Sequence, residues 1–240
     1  MNFGSLDNEE NMGEFVECVQ GLGEASAYLD FPVVSGNVSF YNQTKEVGIK
    51  PTPVIGGVGL IKDYKNMISM DLKQNENILL VIGKTEGHLE QSLFLREILS
   101  EKNGPPPEIN LFNEKNNGET ILKLIDKKFI KSAHDVSLGG LIVALCKMCI
   151  KGKKGVTLKK PNYLINQFEY LFGEDQGRYI VEIEKKDFKN VVEILDKNSV
   201  HYDELGVVND KELIINDKSK VSIDDLIKSH TIWLTNYMSK

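Results

Sequence analysis

The segment Pro32-Val-Val-Ser-Gly-Asn-Val-Ser39 passes from an apolar run into small and polar residues, and a second apolar segment, Pro51-Thr-Pro-Val-Ile-Gly-Gly-Val-Gly-Leu60, follows it closely. The run Phe31–Val34 predicts a short buried strand. Residues 54–61 predict another strand, and their three glycines indicate close approach of a neighbouring backbone. Together the two segments predict a small sheet that ends in a polar loop.

The polar loop 35–39 carries three candidate ligand groups. Gly36 has no Cβ, so its backbone can approach a ligand or adopt a positive φ. Asn37 offers a neutral amide oxygen and Ser39 offers a hydroxyl. A loop that binds phosphate and metal at a strand end requires these groups, but an ordinary turn has the same composition. Composition alone favours the turn.

Overall composition narrows the class of protein. The chain has 240 residues, of which 41% are hydrophobic and 27% charged, with a net charge of −6. These values are typical of a globular protein with an apolar core, and they argue against nucleic acid or an anionic membrane as a partner. The sequence has no apolar run of membrane-spanning length and no secretory signal after Met1, so we expect a cytoplasmic location.

Hydrophobic periodicity predicts an α/β or α+β chain of two parts. We expect residues 1–74 to form a partial N-terminal domain and residues 75–240 a C-terminal domain. The first part is small for an independent core, so it either packs on the second or ends a larger domain. Helices are expected over 8–29, 89–99, 119–130, 140–150, 162–171, 186–197 and 222–236, and strands over 31–35, 54–61, 78–82, 155–158, 178–184, 201–208 and 212–217.

Two other motifs have competing interpretations. Cys146 and Cys149 lie in an apolar helical segment, and we interpret them as small buried side chains, because no second cysteine pair exists to complete a zinc site. His134-Asp135-Val136-Ser137 resembles part of a nucleophilic triad, but adjacent strand residues point to opposite faces, which argues against a relay. Asp135 could instead cap the helix that follows, or join an anion site at its N-terminus.

Several motifs in order along the chain resemble one family. They are Asn2-Phe-Gly-Ser5, Gly21-Leu-Gly-Glu-Ala25, the loop segment 32–39, Tyr41-Asn42, Pro51-Thr-Pro-Val54, His134-Asp-Val-Ser137 with Gly139-Gly-Leu141, and Leu171-Phe-Gly-Glu-Asp-Gln176 with Arg178. The set is similar to the C-terminal part of the phosphoribosylformylglycinamidine synthase family. The resemblance implies an aminoimidazole ribonucleotide synthetase-like fold, with a truncated N-terminal α/β domain and a complete C-terminal α+β domain.

The resemblance implies an ATP-dependent ligase of purine biosynthesis. In that family, formylglycinamide ribonucleotide is activated by ATP, and ammonia from glutamine displaces phosphate to give formylglycinamidine ribonucleotide. Carried onto this sequence, Gly36 contacts ATP, Asn37 binds Mg²⁺ and Ser39 contacts the substrate. Mg²⁺ prefers such hard oxygen ligands. The resemblance also implies an auxiliary nucleotide site with Asp135 and Glu174, although the family's aspartate before the two glycines is replaced by Leu138.

The family pattern has an ATP-binding aspartate just before the position of Asn2, and no such residue is present here. We therefore expect a fragment that is inactive alone. Its expected partners are the missing N-terminal half, a glutaminase subunit and a small accessory subunit. The alternative is a non-catalytic nucleotide-binding or dimerisation module that associates with a separate N-terminal half.

Overall fold

The computed structural model describes residues 1–45, 47–216 and 219–239. These residues form two compact units, Met1–Lys62 and Asp63–Lys240. The predicted domain division after residue 74 stays a prediction, because a compact unit is a property of contacts and a domain boundary also concerns independent folding.

The first unit contains one long helix and a short hairpin. Helix α1 spans Glu9–Tyr28, close to the predicted bounds, and the Asn8 side chain caps it by accepting from the backbone N–H groups of Glu10 and Asn11 at 2.8 and 3.2 Å. Strands β1 (Gln43–Thr44) and β2 (Val47–Gly48) pair antiparallel. No residue of α1 is buried, so local capping and propensity have a large share in its stability.

Both strands predicted in the first unit are wrong. Residues 31–38 and 53–61 have no regular secondary structure. Their apolar side chains are exposed instead of buried, with Val34 at 90% and Leu60 at 93% relative exposure. A strand needs a neighbouring backbone to accept its hydrogen bonds. Within the described residues of this unit, neither segment has a partner strand, so apolar composition alone did not produce one.

The second unit is built on a seven-stranded mixed sheet. Its strands are β3 (Ile78–Ile82), β4 (Ile130–Val136), β5 (Gly155–Leu158), β6 (Arg178–Ile183), β7 (Tyr202–Asn209), β8 (Glu212–Asn216) and β9 (Ser219–Ser222). They lie in the order β4-β6-β3-β7-β5-β8-β9, and neighbouring strands are antiparallel except for the parallel pair β5–β8. The predicted α+β fold is confirmed by this sheet and its helices.

Helices cover both faces of this sheet. They are α2 (Leu111–Asp126), α3 (Gly140–Gly152), α4 (Gln167–Phe172), α5 (Phe188–Lys197) and α6 (Ile223–Met238). Leu79 and Val81 pack into a cluster with α3, α4 and the start of α6, whereas Leu80 and Ile82 pack into a second cluster with α2 and α5. Burial on both faces explains why β3 is a continuous apolar run.

Several predicted boundaries shift in the structure. Helix α2 begins at Leu111, eight residues before its predicted start, because Asn110 caps it by accepting from the Asn113 N–H. The predicted helix 89–99 is reduced to residues 93–99, of which Leu95–Leu99 form a π-helical turn. Strand β9 was not among the predicted elements, and β4 was assumed around His134 and Asp135 without bounds. Edge strands of few residues have a weak periodic signal, which explains the omission of β9.

The two cysteines of α3 are packed side chains, as interpreted from the sequence. Cys149 is fully buried and Cys146 is partly buried beside the same core cluster. Burial raises the pKa of the Cys146 thiol to about 11, so the thiol stays protonated and unreactive at neutral pH.

Candidate functional site

The loop 35–39 is anchored at one end by the N-terminal residues. The Phe3 N–H donates to the Ser39 carbonyl oxygen at 3.0 Å, and the Ser39 N–H donates to the Met1 carbonyl at 2.9 Å. The rings of Phe3, Phe15 and Phe40 meet with centroids 5.1 to 6.4 Å apart. This aromatic cluster fixes the residue after the loop, so Ser39 has a defined position.

The other end of the loop is open. A Cβ at Gly36 would meet no atom within 4 Å, and Asn37 is exposed. Among the hydrogen bonds of the described residues, Asn37 contributes its backbone oxygen, which accepts from the Met1 amino group at 2.8 Å. Its side-chain amide therefore remains available to a ligand.

Ser39 differs from its two neighbours because its side chain is already engaged. The Ser39 hydroxyl lies 3.3 Å from Asn42 Oδ1, and the Asn42 amide donates to the backbone oxygens of Phe3 and Ser39 at 3.0 Å each. Asn42 thus ties the loop to the N-terminal residues. A ligand that uses the Ser39 hydroxyl would share it with Asn42.

Asn37 is the candidate metal ligand of the loop. In the ranges 1–45, 47–216 and 219–239, no group of three or more His, Cys, Asp or Glu side chains could hold a metal ion. The Asn37 amide oxygen suits Mg²⁺ chemically, since Mg²⁺ takes oxygen ligands and retains several waters or phosphate oxygens. Asn37 fits one position of such a coordination sphere.

The second candidate region surrounds the start of α3 in the second unit. The His134 Nδ1 lies 3.0 Å from Asp135 Oδ1, so the two neighbours are in contact, although the sequence argument against a catalytic relay concerned their role and stays a prediction. Burial raises the pKa of the Asp135 carboxyl, but the nearby His134 and a hydrogen bond from Ser137 outweigh it, and the pKa lies below its usual value. Asp135 is consequently an anion at neutral pH.

Asp135 is not the cap of α3. The N-cap residue is Gly139, at φ +85°, which has no side chain that could cap the helix. The Glu174 side chain acts in place of a capping side chain. Its Oε1 accepts from the N–H groups of Gly139 at 2.8 Å and Leu93 at 2.7 Å. A Cβ at Gly140 would lie 2.6 Å from the Gly173 oxygen, so the second glycine allows α3 to approach the loop that carries Glu174.

The sequence motif contains Asp175 and Arg178, but it did not predict the buried hydrogen-bond network that they form beside Glu174. Asp175 accepts from the backbone N–H groups of Glu86, Gly87 and His88 at 3.0 to 3.2 Å. Arg178 is 1% exposed and donates to Thr85 Oγ1 and the Gly173 oxygen. Desolvation lowers the pKa of Arg178, and the negative charge of the nearby Asp175 opposes this lowering. The signal available in the sequence was the group of charged residues at the start of an apolar strand.

This network fixes one wall of a polar cavity of about 650 Å³. The cavity is lined mainly by the loop after β3, a proline-rich loop, the first turns of α2 and residues 175–177. Glu114 of α2 lies in its wall, and burial raises the pKa of this carboxyl above its usual value. Asp135 and Glu174 are not among the residues that line this cavity.

No helix in the described ranges has both the length and the apolar character needed to cross a lipid bilayer. The cytoplasmic location stays a prediction.

The layered sheet and the glycine-rich start of α3 define the class of protein. The chain belongs to the family of AIR synthase related proteins, whose C-terminal domain model matches residues 74–218. This confirms the fold and the superfamily that the sequence motifs indicated.

Within that class, the chain is similar to PurL subunits. The chain is 83% identical over 238 residues to phosphoribosylformylglycinamidine synthase subunit PurL of Pelagibacter ubique strain HTCC1062, covering 99% of this chain and 33% of the relative. It is 40% identical to the subunit of the same name from Bartonella henselae, over 100% of this chain and 32% of that protein. The chain spans about a third of the length of these curated relatives.

Solved structures show the same fold. One described as T. maritima PurL complexed with FGAR has a TM-score of 0.67 and 15% identity, over 86% of this chain and 36% of that one. Another, T. maritima PurL complexed with ATP, has a TM-score of 0.63 and 14% identity, over 87% of this chain and 35% of that one.

Proposed function

We propose that this chain acts as the C-terminal third of a phosphoribosylformylglycinamidine synthase. The complete enzyme would convert formylglycinamide ribonucleotide, ATP and glutamine-derived ammonia to formylglycinamidine ribonucleotide, ADP and phosphate. The observation that carries the proposal is the 83% identity to PurL over 238 residues. Solved relatives of the same fold were obtained with FGAR and with ATP, which supports both ligand classes.

The loop of the first unit would form one wall of the active site. Gly36 would allow a close approach of ATP, Asn37 would hold Mg²⁺ and Ser39 would contact the substrate. The open space around Gly36 and the exposure of Asn37 support the first two roles. Mg²⁺, when bound, would neutralise phosphate charge during phosphoryl transfer. Asn37 would offer its amide oxygen to Mg²⁺ and would take no part in proton transfer.

The chain would depend on partners for turnover. A glutaminase subunit would supply ammonia, and a small accessory subunit and the rest of the synthetase would complete the assembly. The T. maritima structure named PurLQS supports an assembly of this kind for the relatives, with a TM-score of 0.52 to this chain and coverage of 68% of it. We expect the isolated chain to be inactive, because it spans only about a third of the length of its PurL relatives.

The auxiliary nucleotide site is proposed at Asp135 and Glu174. Asp135 is exposed and its lowered pKa keeps it charged, which suits contact through a bound cation. Glu174 would contribute only Oε2, because Oε1 already accepts two backbone N–H groups. Glu174→Gln should therefore change both nucleotide affinity and the stability of the α3 start, whereas Asp135→Asn should change nucleotide affinity alone.

A reconstitution tests the main proposal. The chain is mixed with a separately produced polypeptide that covers the remaining two thirds of the Pelagibacter PurL, and ADP and formylglycinamidine ribonucleotide are measured with ammonium chloride as nitrogen donor. We expect turnover in the mixture and none from either part. Turnover by this chain alone, or a stable complex without turnover, contradicts the proposal.

Asn37→Leu is the matched variant for that assay. It removes the amide oxygen at an exposed position, so folding should be unaffected. The Mg²⁺ and ATP concentrations for half-maximal turnover should rise about tenfold or more, because a ligand to the metal is lost. Unchanged values would remove Asn37 from the site.

The alternative, a non-catalytic nucleotide-binding module, is tested by titration of the isolated chain with Mg·ATP. Absence of binding at millimolar nucleotide rejects it.

A further inference from the structure

Helix α3 begins with backbone donors of the kind that bind anions. The N–H groups and the dipole at the start of a helix attract phosphates and carboxylates. Gly139 and Gly140 both adopt left-handed backbone conformations there, at φ +85° and +70°, and Gly139 has no side chain that could satisfy the donors. The backbone alone would therefore offer the Gly139 N–H to an anionic ligand.

In this chain an internal carboxylate already takes that position. Glu174 Oε1 accepts from the Gly139 N–H at 2.8 Å and from the Leu93 N–H at 2.7 Å, distances typical of hydrogen bonds to a carboxylate at a helix start. Glu174 is 9% exposed. All three residues belong to the unit Asp63–Lys240, so the contact does not depend on what surrounds that unit.

The residues on either side of Glu174 are fixed as well. Arg178 donates to the Gly173 oxygen at 2.6 Å, and the Asp175 carboxylate accepts from the backbone N–H groups of residues 86–88. A side chain held in this way loses little further freedom when it binds, and it is always present beside the donors. It therefore competes effectively with an anion from solution.

A second negative charge lies on the same loop. The pKa of the Asp135 carboxyl is below its usual value, so Asp135 is an anion at neutral pH, four residues before Gly139 in the chain. A phosphate at the Gly139 N–H would have to displace the Glu174 carboxylate and would share the loop with Asp135. Like charges repel strongly where little water separates them.

We propose that Glu174 is an autoinhibitory contact, in which its Oε1 closes the start of α3 to the phosphate groups of a nucleotide. The identity of the ligand rests on the proposed function, in which Asp135 and Glu174 belong to a nucleotide site. A nucleotide ligand at Oε2 and a closing contact at Oε1 predict opposite results. Loss of the Glu174 charge weakens binding if Glu174 is mainly a ligand, and strengthens binding if it mainly excludes phosphate.

Calorimetric titration of the full chain with Mg·ATP and with pyrophosphate measures this sign. Glu174→Gln keeps the shape of the side chain and removes its charge, so we expect the affinity for both to rise about tenfold. Glu174→Ala also frees the Gly139 and Leu93 N–H groups, so its affinity should rise further. In Glu174→Ala, but not in the parent, pyrophosphate should shift the NMR signals of these two amides.

Glu97→Gln is the matched control. It removes one negative charge from an exposed side chain of the same unit and should leave both affinities unchanged. Because Glu174→Gln retains an oxygen that can accept from both N–H groups, it keeps the test valid if Glu174→Ala fails to fold.

The outcomes separate this inference from the proposed nucleotide site. Equal or weaker binding in the Glu174 variants, with Mg·ATP bound by the parent and lost in Asp135→Asn, overturns the inference and supports the site. Stronger pyrophosphate binding in the Glu174 variants, with no Mg·ATP binding that depends on Asp135, supports the closing contact and rejects the site. Absence of binding to the parent and to every variant overturns both.

Discussion

The two units of this chain use apolar residues in opposite ways. In Asp63–Lys240, the apolar run Ile78–Ile82 is a central strand covered by helices on both faces. In Met1–Lys62, equally apolar runs are irregular and exposed. Among the described residues of this unit, Phe3 is the one large apolar side chain that is buried. The difference shows that apolar composition specifies a strand only where neighbouring strands and covering helices are available.

The largest test of this comparison is a matched pair of truncations. Leu145→Ala in α3 removes a side chain that is 0% exposed and should reduce the free energy of unfolding by about 3 kcal/mol. Leu60→Ala removes the same atoms at a 93% exposed position and should change it by less than about 0.5 kcal/mol. Urea denaturation followed by circular dichroism measures both. Equal losses would mean that Leu60 is buried in solution.

Glu182 provides the next test, within the second unit. It is fully buried and accepts from the Lys73 and Gln74 N–H groups, the Asn77 amide and the Ser132 hydroxyl. Glu182→Ala should cost about 3 kcal/mol, because it leaves several buried donors unpaired.

Hydrogen exchange at Lys73 and Gln74 distinguishes this cause from general destabilisation. Both amides should exchange much faster in the Glu182→Ala variant than in Leu145→Ala at matched stability. Unchanged protection at these two amides would show that Glu182 is not their partner in solution.

Helix capping should have a smaller effect, visible mainly in the first unit. Asn8→Ala and Asn110→Ala each remove a side-chain cap worth about 1 kcal/mol. Because α1 buries no residue and α2 buries four, loss of the Asn8 cap should fray α1 and lower helicity. Loss of the Asn110 cap should lower stability without fraying. NMR chemical shifts of the first turns report this, and identical behaviour of the two helices would contradict the comparison.

The smallest expected effect is a pH dependence at Glu114 in the second unit. Burial raises the pKa of this carboxyl above its ordinary value of 4.5, so the folded state favours the protonated form. Stability from this group is present below pH 4.5 and is lost as pH rises through the raised pKa. Glu114→Gln should therefore gain stability relative to the parent at pH 7 and show no gain at pH 4. A gain of equal size at both pH values would exclude the ionisation as its cause.

Sequence patterns predicted the parts of the candidate site that depend on local chemistry. They singled out Gly36 and Asn37, which are the open positions of the loop, whereas the family resemblance singled out Glu174, which accepts from the Gly139 N–H just before α3. They did not predict that Glu174 bonds Gly139 and Leu93, since these three residues are far apart in the chain. Asp175 and Arg178 were among the motif residues, but their hydrogen bonds were not predicted, because their partners are the backbone of residues 86–88 and the Thr85 and Gly173 oxygens.

The sequence by itself determined the elements whose pattern is complete within a short segment. Helix α1, strand β3 and strand β5 follow from spacing alone, because the hydrogen bonds of a helix and the apolar pattern of a short strand are local. The tertiary structure decided whether an apolar segment has a partner, as it does for β3 and does not for residues 53–61. It also decided which groups satisfy a buried carboxylate, because burial and strand pairing depend on residues that are distant in the sequence.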